Sequence, residues 1–176
     1  LLDKSIEILS VKHLRGPNMW TYHPVIEVWI DIGELEDYPS NLIAGFYDRL
    51  VKALPSLVEH RCSYGEAGGF LKRVEEGTWP AHIMEHLTLE LQNLAGIPGG
   101  FGKARDGDRR GVYKVMVSAI NEEVTLTALK YARDLYLALA QDNQDCIALT
   151  KDIIEKLRDL GDDLLLGPST ACIVNA

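Results

Sequence analysis

Apolar and polar positions alternate at the start of the chain. Ser5 to Leu14 carries Ile6, Ile8 and Val11 among polar neighbours, and the run breaks at Arg15-Gly16-Pro17-Asn18, which predicts a strand followed by a turn. Val25 to Ile32 repeats the alternation, with Ile26, Val28 and Ile30 set against Val25, Glu27, Trp29 and Asp31. The two read as a hairpin with a long connection, in which Met19, Trp20, Tyr22 and His23 offer more aromatic surface than a plain turn needs. After the breaker Asp37-Tyr38-Pro39-Ser40 the period lengthens. Phe46 to Leu54 predicts a short amphipathic helix with Leu50, Val51 and Leu54 inward, ended by Pro55.

From Leu57 to Phe70 the period is lost, and Cys62 to Gly69 is rich in glycine. That stretch is either a loop whose backbone approaches something closely or a flexible connector. Trp79 and Pro80 open a second helix that Gly96 ends. Ile97 to Arg110 holds four glycines and the charges Lys103, Arg105, Asp106, Asp108, Arg109 and Arg110, and is expected to be an ordered functional loop or a lid. Val112 to Ile120 predicts a third strand, and Asn121 stands where a helix N-cap should. Helices follow at about Glu122 to Ala140, with Leu126, Leu129, Leu135 and Leu139 along one side, and at about Ile147 to Leu160. Gly167-Pro168-Ser169-Thr170 reads as a turn that begins a linker.

The fold class expected is α/β in the broad sense: a mixed α+β two-layer domain, with a sheet of three strands, helices packed on one side, and two C-terminal helices. Residues 1–162 would form the domain and 163–176 the linker. The pattern contains no internal repeat and no low-complexity tract.

Composition narrows the partners. A length of 176 residues, 47% hydrophobic and 25% charged, suits one globular domain. The formal net charge of -8 argues against a general nucleic-acid binder and would suit a guanidinium-bearing partner. Cys62, Cys146 and Cys172 are far apart and odd in number, so free thiols in a reducing compartment are expected, with no zinc finger. No apolar run approaches a membrane span and the N-terminus has no signal-peptide pattern, so the expected location is cytoplasmic. A first residue of Leu and an abrupt end at Ile-Val-Asn-Ala suggest a segment of something longer.

Chemistry is implied by spacing at one place, His82-Ile83-Met84-Glu85-His86. Residues four apart on a helix lie one turn above each other, so His82 and His86 point the same way with Glu85 beside them. H-x-x-E-H is the inverted form of the zincin motif, in which two His hold zinc and the Glu takes a proton from the attacking water. A third ligand must come from elsewhere. Asn121, Glu122 and Glu123 are candidates because they follow a strand and open a helix. Glu90 is the other option, but three ligands on one straight helix would splay along its axis, so it reads better as a partner for an imidazole. Without a metal the two His are simply partly buried polar residues with hydrogen bonds.

With these residues in view, nearly the whole chain resembles the N-terminal domain of the cyanophycin synthetase family. The markers are Leu14 to Asn18 with Trp20, Pro39-Ser40-Asn41, Gly45-Phe46-Tyr47, Leu54 to Leu57, Cys62-Ser63, Gly68 to Leu71, His82 to Gln92, Gly100-Phe101-Gly102 and Gly167 to Thr170. Members of that family are ligases that build a poly-aspartate chain bearing arginine side chains. The resemblance implies downstream ATP-grasp and Mur-ligase-like domains that use ATP and magnesium, and a homo-oligomeric full-length protein. This chain has no G-x-x-x-x-G-K-[ST] loop, so no ATP is expected on it.

For this segment the resemblance implies holding the polymer cyanophycin, and in some members cutting it into primers at a zinc site. His82 and His86 match the zinc ligands, Glu85 the catalytic carboxylate, and Glu122 aligns with the third ligand. Trp20, Glu66 and Arg105 are expected to touch substrate. The alternatives are a non-catalytic tethering module with a structural His pair, and a free-standing peptidase of the inverted-zincin type.

Overall fold

Residues 6–165 are described by the computed structural model. Strand β1 (Glu7–Leu14) pairs antiparallel with β2 (Val25–Asp31), with a bulge between Ile8 and Ser10. The connection is ordered by Asn18, whose Oδ1 accepts from the backbone N–H of Trp20 and Thr21 while Nδ2 donates to the carbonyls of Gly16 and His23. Trp20 Nε1 donates to Glu27 Oε2 at 3.1 Å, which folds the aromatic connection back onto β2.

Helices α1 (Phe46–Ala53), α2 (Gly69–Glu76) and α3 (Pro80–Leu94) follow, then β3 (Gly102–Asp106), β4 (Val112–Ser118), α4 (Glu122–Gln141) and α5 (Cys146–Leu165). The four strands form one antiparallel sheet in the order β1-β2-β4-β3. Ile26, Val28 and Ile30 of β2 and Val115 and Val117 of β4 face the helices. They share one buried cluster with Ile83, Leu87 and Leu91 of α3 and with Leu129, Leu135 and Leu139 of α4. The alternate residues Trp29, Asp31 and Lys114 stay partly exposed on the other face. The mixed α+β two-layer architecture expected from the pattern is the one observed.

Asn121 caps α4, its Oδ1 accepting from the N–H groups of Glu123 (2.9 Å) and Val124 (3.1 Å). Of the four leucines expected inward on that helix, three are buried and Leu126 is half-buried. Both C-terminal helices pack on the domain, α5 against α1, α3 and α4.

Three expectations need correction. The stretch from Ile97 to Arg110 is not a lone loop, because it holds β3, the edge strand beside β4. An edge strand with glycine and charge at alternate places has no buried face to impose a readable apolar period. The aperiodic stretch after Leu54 is ordered by 3-10 turns at Pro55–Glu59 and Cys62–Tyr64. Helix α5 continues to Leu165, past the end expected at about Leu160, and its inward residues repeat at helical spacing through Ile153, Leu157 and Leu160. The expected turn at Gly167 to Thr170 lies outside the described residues, as does Cys172. Among the described residues no helix is long and apolar enough to cross a membrane.

Leu135→Ala, a truncation at a fully buried position, is expected to lower unfolding free energy by about 2–5 kcal/mol. Asn121→Ala should cost only about 1 kcal/mol. Urea unfolding of both variants beside the parent checks the ratio.

Candidate metal centre

Helix α3 buries 12 of its 15 residues, including Glu85, His86, Thr88, Glu90 and Gln92. Pro80 occupies its first turn, where no N–H is needed. His82, Glu85 and His86 face a cavity of about 830 Å³ lined also by His60 to Ser63, Arg73, Thr78, Trp79 and the strand β3. Cys62 enters this cavity from the turn before α2, with its Sγ 3.2 Å from His82 Nε2. Cys62, His82 and His86 each offer one ligand atom, and these lie within 4.8 Å of one another.

Cys62 is held in place by backbone geometry. Its φ of 55° is left-handed, a conformation that costs a non-glycine residue about 1–3 kcal/mol. Gly69 supports the turn: a Cβ there would stand 1.9 Å from the carbonyl oxygen of Arg61, so only glycine lets α2 approach this closely.

The imidazoles are fixed by their outer nitrogens. His82 Nδ1 lies 2.8 Å from Thr78 Oγ1. With Nδ1–H donated there, Nε2 presents its lone pair toward Cys62. On the other side, Ser56 donates a short hydrogen bond to Glu90 Oε1, and Glu90 Oε2 lies 2.8 Å from His60 Nε2. His60 Nδ1 in turn lies 2.9 Å from His86 Nδ1. A carboxylate only accepts, so His60 donates from Nε2, accepts at Nδ1 from His86, and leaves His86 Nε2 as the free lone pair. Phe70 stacks on His86 at 3.9 Å between ring centroids, closing that side with an apolar surface.

Electrostatics suit metal ligation. Burial, with a smaller effect of Arg73, pushes His82 down to about 4. Burial also pushes His86 far down, helped by His82 and His60. Both rings are therefore neutral, the form that binds metal. Burial works to raise Glu90, yet the hydrogen bonds from His60 and Ser56 hold it below its ordinary value. Glu85 goes the other way. Burial lifts it to about 8 against a backbone hydrogen bond from Ala104, so its carboxyl can carry a proton near neutrality. A Cys, two neutral His and open space beside a buried Glu form a donor set that fits zinc.

Glu122 stands apart from this group. Its carboxylate is taken by Arg15, at 2.8 and 3.1 Å, and by His13 at 3.2 Å. The Arg15 hydrogen bond lowers its pKa. The structure thus brings together the expected His82, Glu85 and His86, and supplies Cys62 where Glu122 was expected. Glu90 does partner an imidazole, that of His60 rather than of His86 directly. Arg105 lines the cavity. Trp20 lies over Lys103, 5.7 Å from Nζ to the ring, and Glu66 is exposed in the turn before α2. Sequence reasoning missed His60 as a functional residue and read Cys62 only as a free thiol. The signal available was the run His60-Arg61-Cys62 at the edge of an aperiodic, glycine-rich stretch.

The fold and site define a two-layer α+β domain in which two His of one helix and a Cys converge on a cavity. A family model described as cyanophycin synthase-like N-terminal domain matches residues 27–141, and the chain belongs to that family. Relatives named cyanophycin synthetase include those of Synechocystis sp., 43% identical over 171 residues, covering 96% of this chain and 20% of the relative. Those of Trichormus variabilis (44%, covering 96% of this chain and 19% of the relative) and Geminocystis herdmanii (42%, 96% and 20%) match over the same length. The chain therefore spans about a fifth of the length of these relatives.

Gly102 tests the packing of the Glu85 carboxyl. A Cβ there would lie 2.6 Å from Glu85 Oε1 and 2.9 Å from Leu89 Cδ1. Gly102→Ala should destabilise by about 1–3 kcal/mol. Gly100→Ala, where a Cβ meets nothing within 4 Å, should stay within about 0.5 kcal/mol of the parent. Denaturant melts of the two variants decide it.

Proposed function

We propose that this segment binds cyanophycin within a cyanophycin synthetase and cuts it at a zinc site, producing primers for a ligase whose ATP- and magnesium-dependent domains lie elsewhere in the polypeptide. One observation carries the reading: Cys62, His82 and His86 converge beside the buried Glu85 on an open cavity. A structural zinc site is closed by four protein ligands, whereas a catalytic one keeps a position open. Membership of the family, whose relatives bear the name cyanophycin synthetase, supports the choice of polymer.

Cys62, His82 and His86 would hold the metal. Zinc, when bound, supplies Lewis acidity toward a carbonyl and toward water. The charge of a bound zinc would favour the ionised form of Glu85 over the protonated form that burial alone favours. So ionised, Glu85 is the general base and then the acid, taking a proton from water as it attacks the scissile carbonyl and returning it to the leaving nitrogen. Its carboxyl lies against the backbone of β3, where a Cβ on Gly102 would stand 2.6 Å from Oε1. Phe70 and Leu89 exclude water from the flanks of the rings.

The purified chain should contain about one zinc by elemental analysis, and Cys62→Ala or His82→Ala should remove it. Glu85→Gln should retain the metal and lose at least about 100-fold in cyanophycin cleavage. A zinc-loaded parent that leaves the polymer intact while still binding it would make the segment a tethering module instead.

His60 gives a separate check. His60→Ala is expected to weaken zinc binding about 10–100-fold by releasing the proton position of His86. Glu90→Gln should fall in the same range, and competition with a fluorescent chelator measures both.

A further inference from the structure

The free edge of β3 runs along the cavity, and its hydrogen-bonding groups are in register with the site. Ser118 N–H donates to Phe101 O at 2.8 Å, and Gly107 N–H donates to Val112 O at 2.7 Å. The register between them pairs Lys103 with Met116 and Arg105 with Lys114. In an antiparallel ladder every second pair exchanges its bonds, so Lys103 and Arg105 are committed to β4. Gly102, Ala104 and Asp106 therefore direct their N–H and C=O groups to the open side. Gly102 shows how near this edge comes to the site, since a Cβ there would lie 2.6 Å from Glu85 Oε1. β3 ends the sheet order, and its residues are half-buried or exposed.

The same cavity is rimmed by Arg61, Arg73, Lys103 and Arg105. Among the described residues none of these four has a carboxylate partner; Lys103 lies over the Trp20 ring, Arg73 over Tyr64, and Arg61 donates to the carbonyl of Gly65. Cations with no carboxylate partner around a cavity, on a chain of net charge -8, are placed to receive carboxylates.

We propose that the main chain of an extended, carboxylate-bearing peptide substrate adds to the sheet as a strand along the free edge of β3. It would bond to Gly102, Ala104 O and Asp106, with its carboxylates on the cationic rim and one carbonyl delivered to Glu85. This rests on the hydrolytic reading above and says how the polymer is held. Main-chain pairing sets register in steps of two residues, so substrate side groups alternate between the rim and open solvent. In a poly-aspartate chain carrying arginine, the free carboxylate of each arginine is the group the rim would select.

The experiment uses short poly-aspartate oligomers bearing arginine, each with one backbone amide N-methylated at successive positions. They are titrated against the zinc-loaded Glu85→Gln chain, with amide hydrogen exchange recorded in the complex. The expected result is loss of affinity by about tenfold or more at every second residue. Slowed exchange should appear at Gly102 and Asp106, with no change at Lys103 and Arg105. Binding without alternation, or without protection at Gly102 and Asp106, overturns strand addition even if the parent cleaves the polymer. Alternating affinity with no cleavage by the parent keeps strand addition and removes the hydrolytic reading. No binding at all removes both.

Discussion

Burial of polar side chains on α3 is the constraint around which the domain is arranged. A helix sunk among other elements cannot leave carboxylates, amides and imidazoles unpartnered without a cost of several kcal/mol. Each neighbour therefore supplies a partner. The segment after α1 gives Ser56 and His60 to Glu90 and His86, and α4 gives the Thr125 hydroxyl to Gln92 Oε1 at 2.8 Å. These bonds fix how α3 is turned, and the turn in turn aims His82 and His86 at Cys62. Among the described residues, Gln92 Nε2 is left without a partner.

The sheet contributes differently. Its inner face is apolar and carries the packing, while its outer face holds aromatic and cationic side chains in contact, Lys103 with Trp20 and Lys114 with Trp29. The strand that matters chemically is β3, the one with least apolar content. Its one glycine, Gly102, lets Glu85 lie against the backbone, which a side chain there would prevent.

Much of this could be read from residue order. β2, β4 and the helices announce themselves by period, because each buries one face. The H-x-x-E-H spacing needs only one helix to become geometry, so its three residues were legible too. What lay beyond reach depends on distant closure. β3 is defined by its neighbour rather than by its own residues. Glu122 was a reasonable third ligand by position, but Arg15 and His13 capture it from the far end of the hairpin. Cys62 reaches His82 only through a left-handed turn, and His60 earns no notice until Glu90 and His86 are seen on either side of it.

The donor set has one more property. Ser56, His60, Cys62, Thr78, His82, His86 and Glu90 all fall in a single stretch of the chain, residues 56–90, with only the edge of β3 added from outside. Closing loops of this length costs little entropy, and each doubling would add only about 0.6 kcal/mol. Assembly of the site is thus more local, whereas the sheet needs β2 to find β4 from Val25 to Ser118, about half the chain away. Changes in the β1–β2 hairpin can alter stability and folding rate while the ligand geometry stays intact.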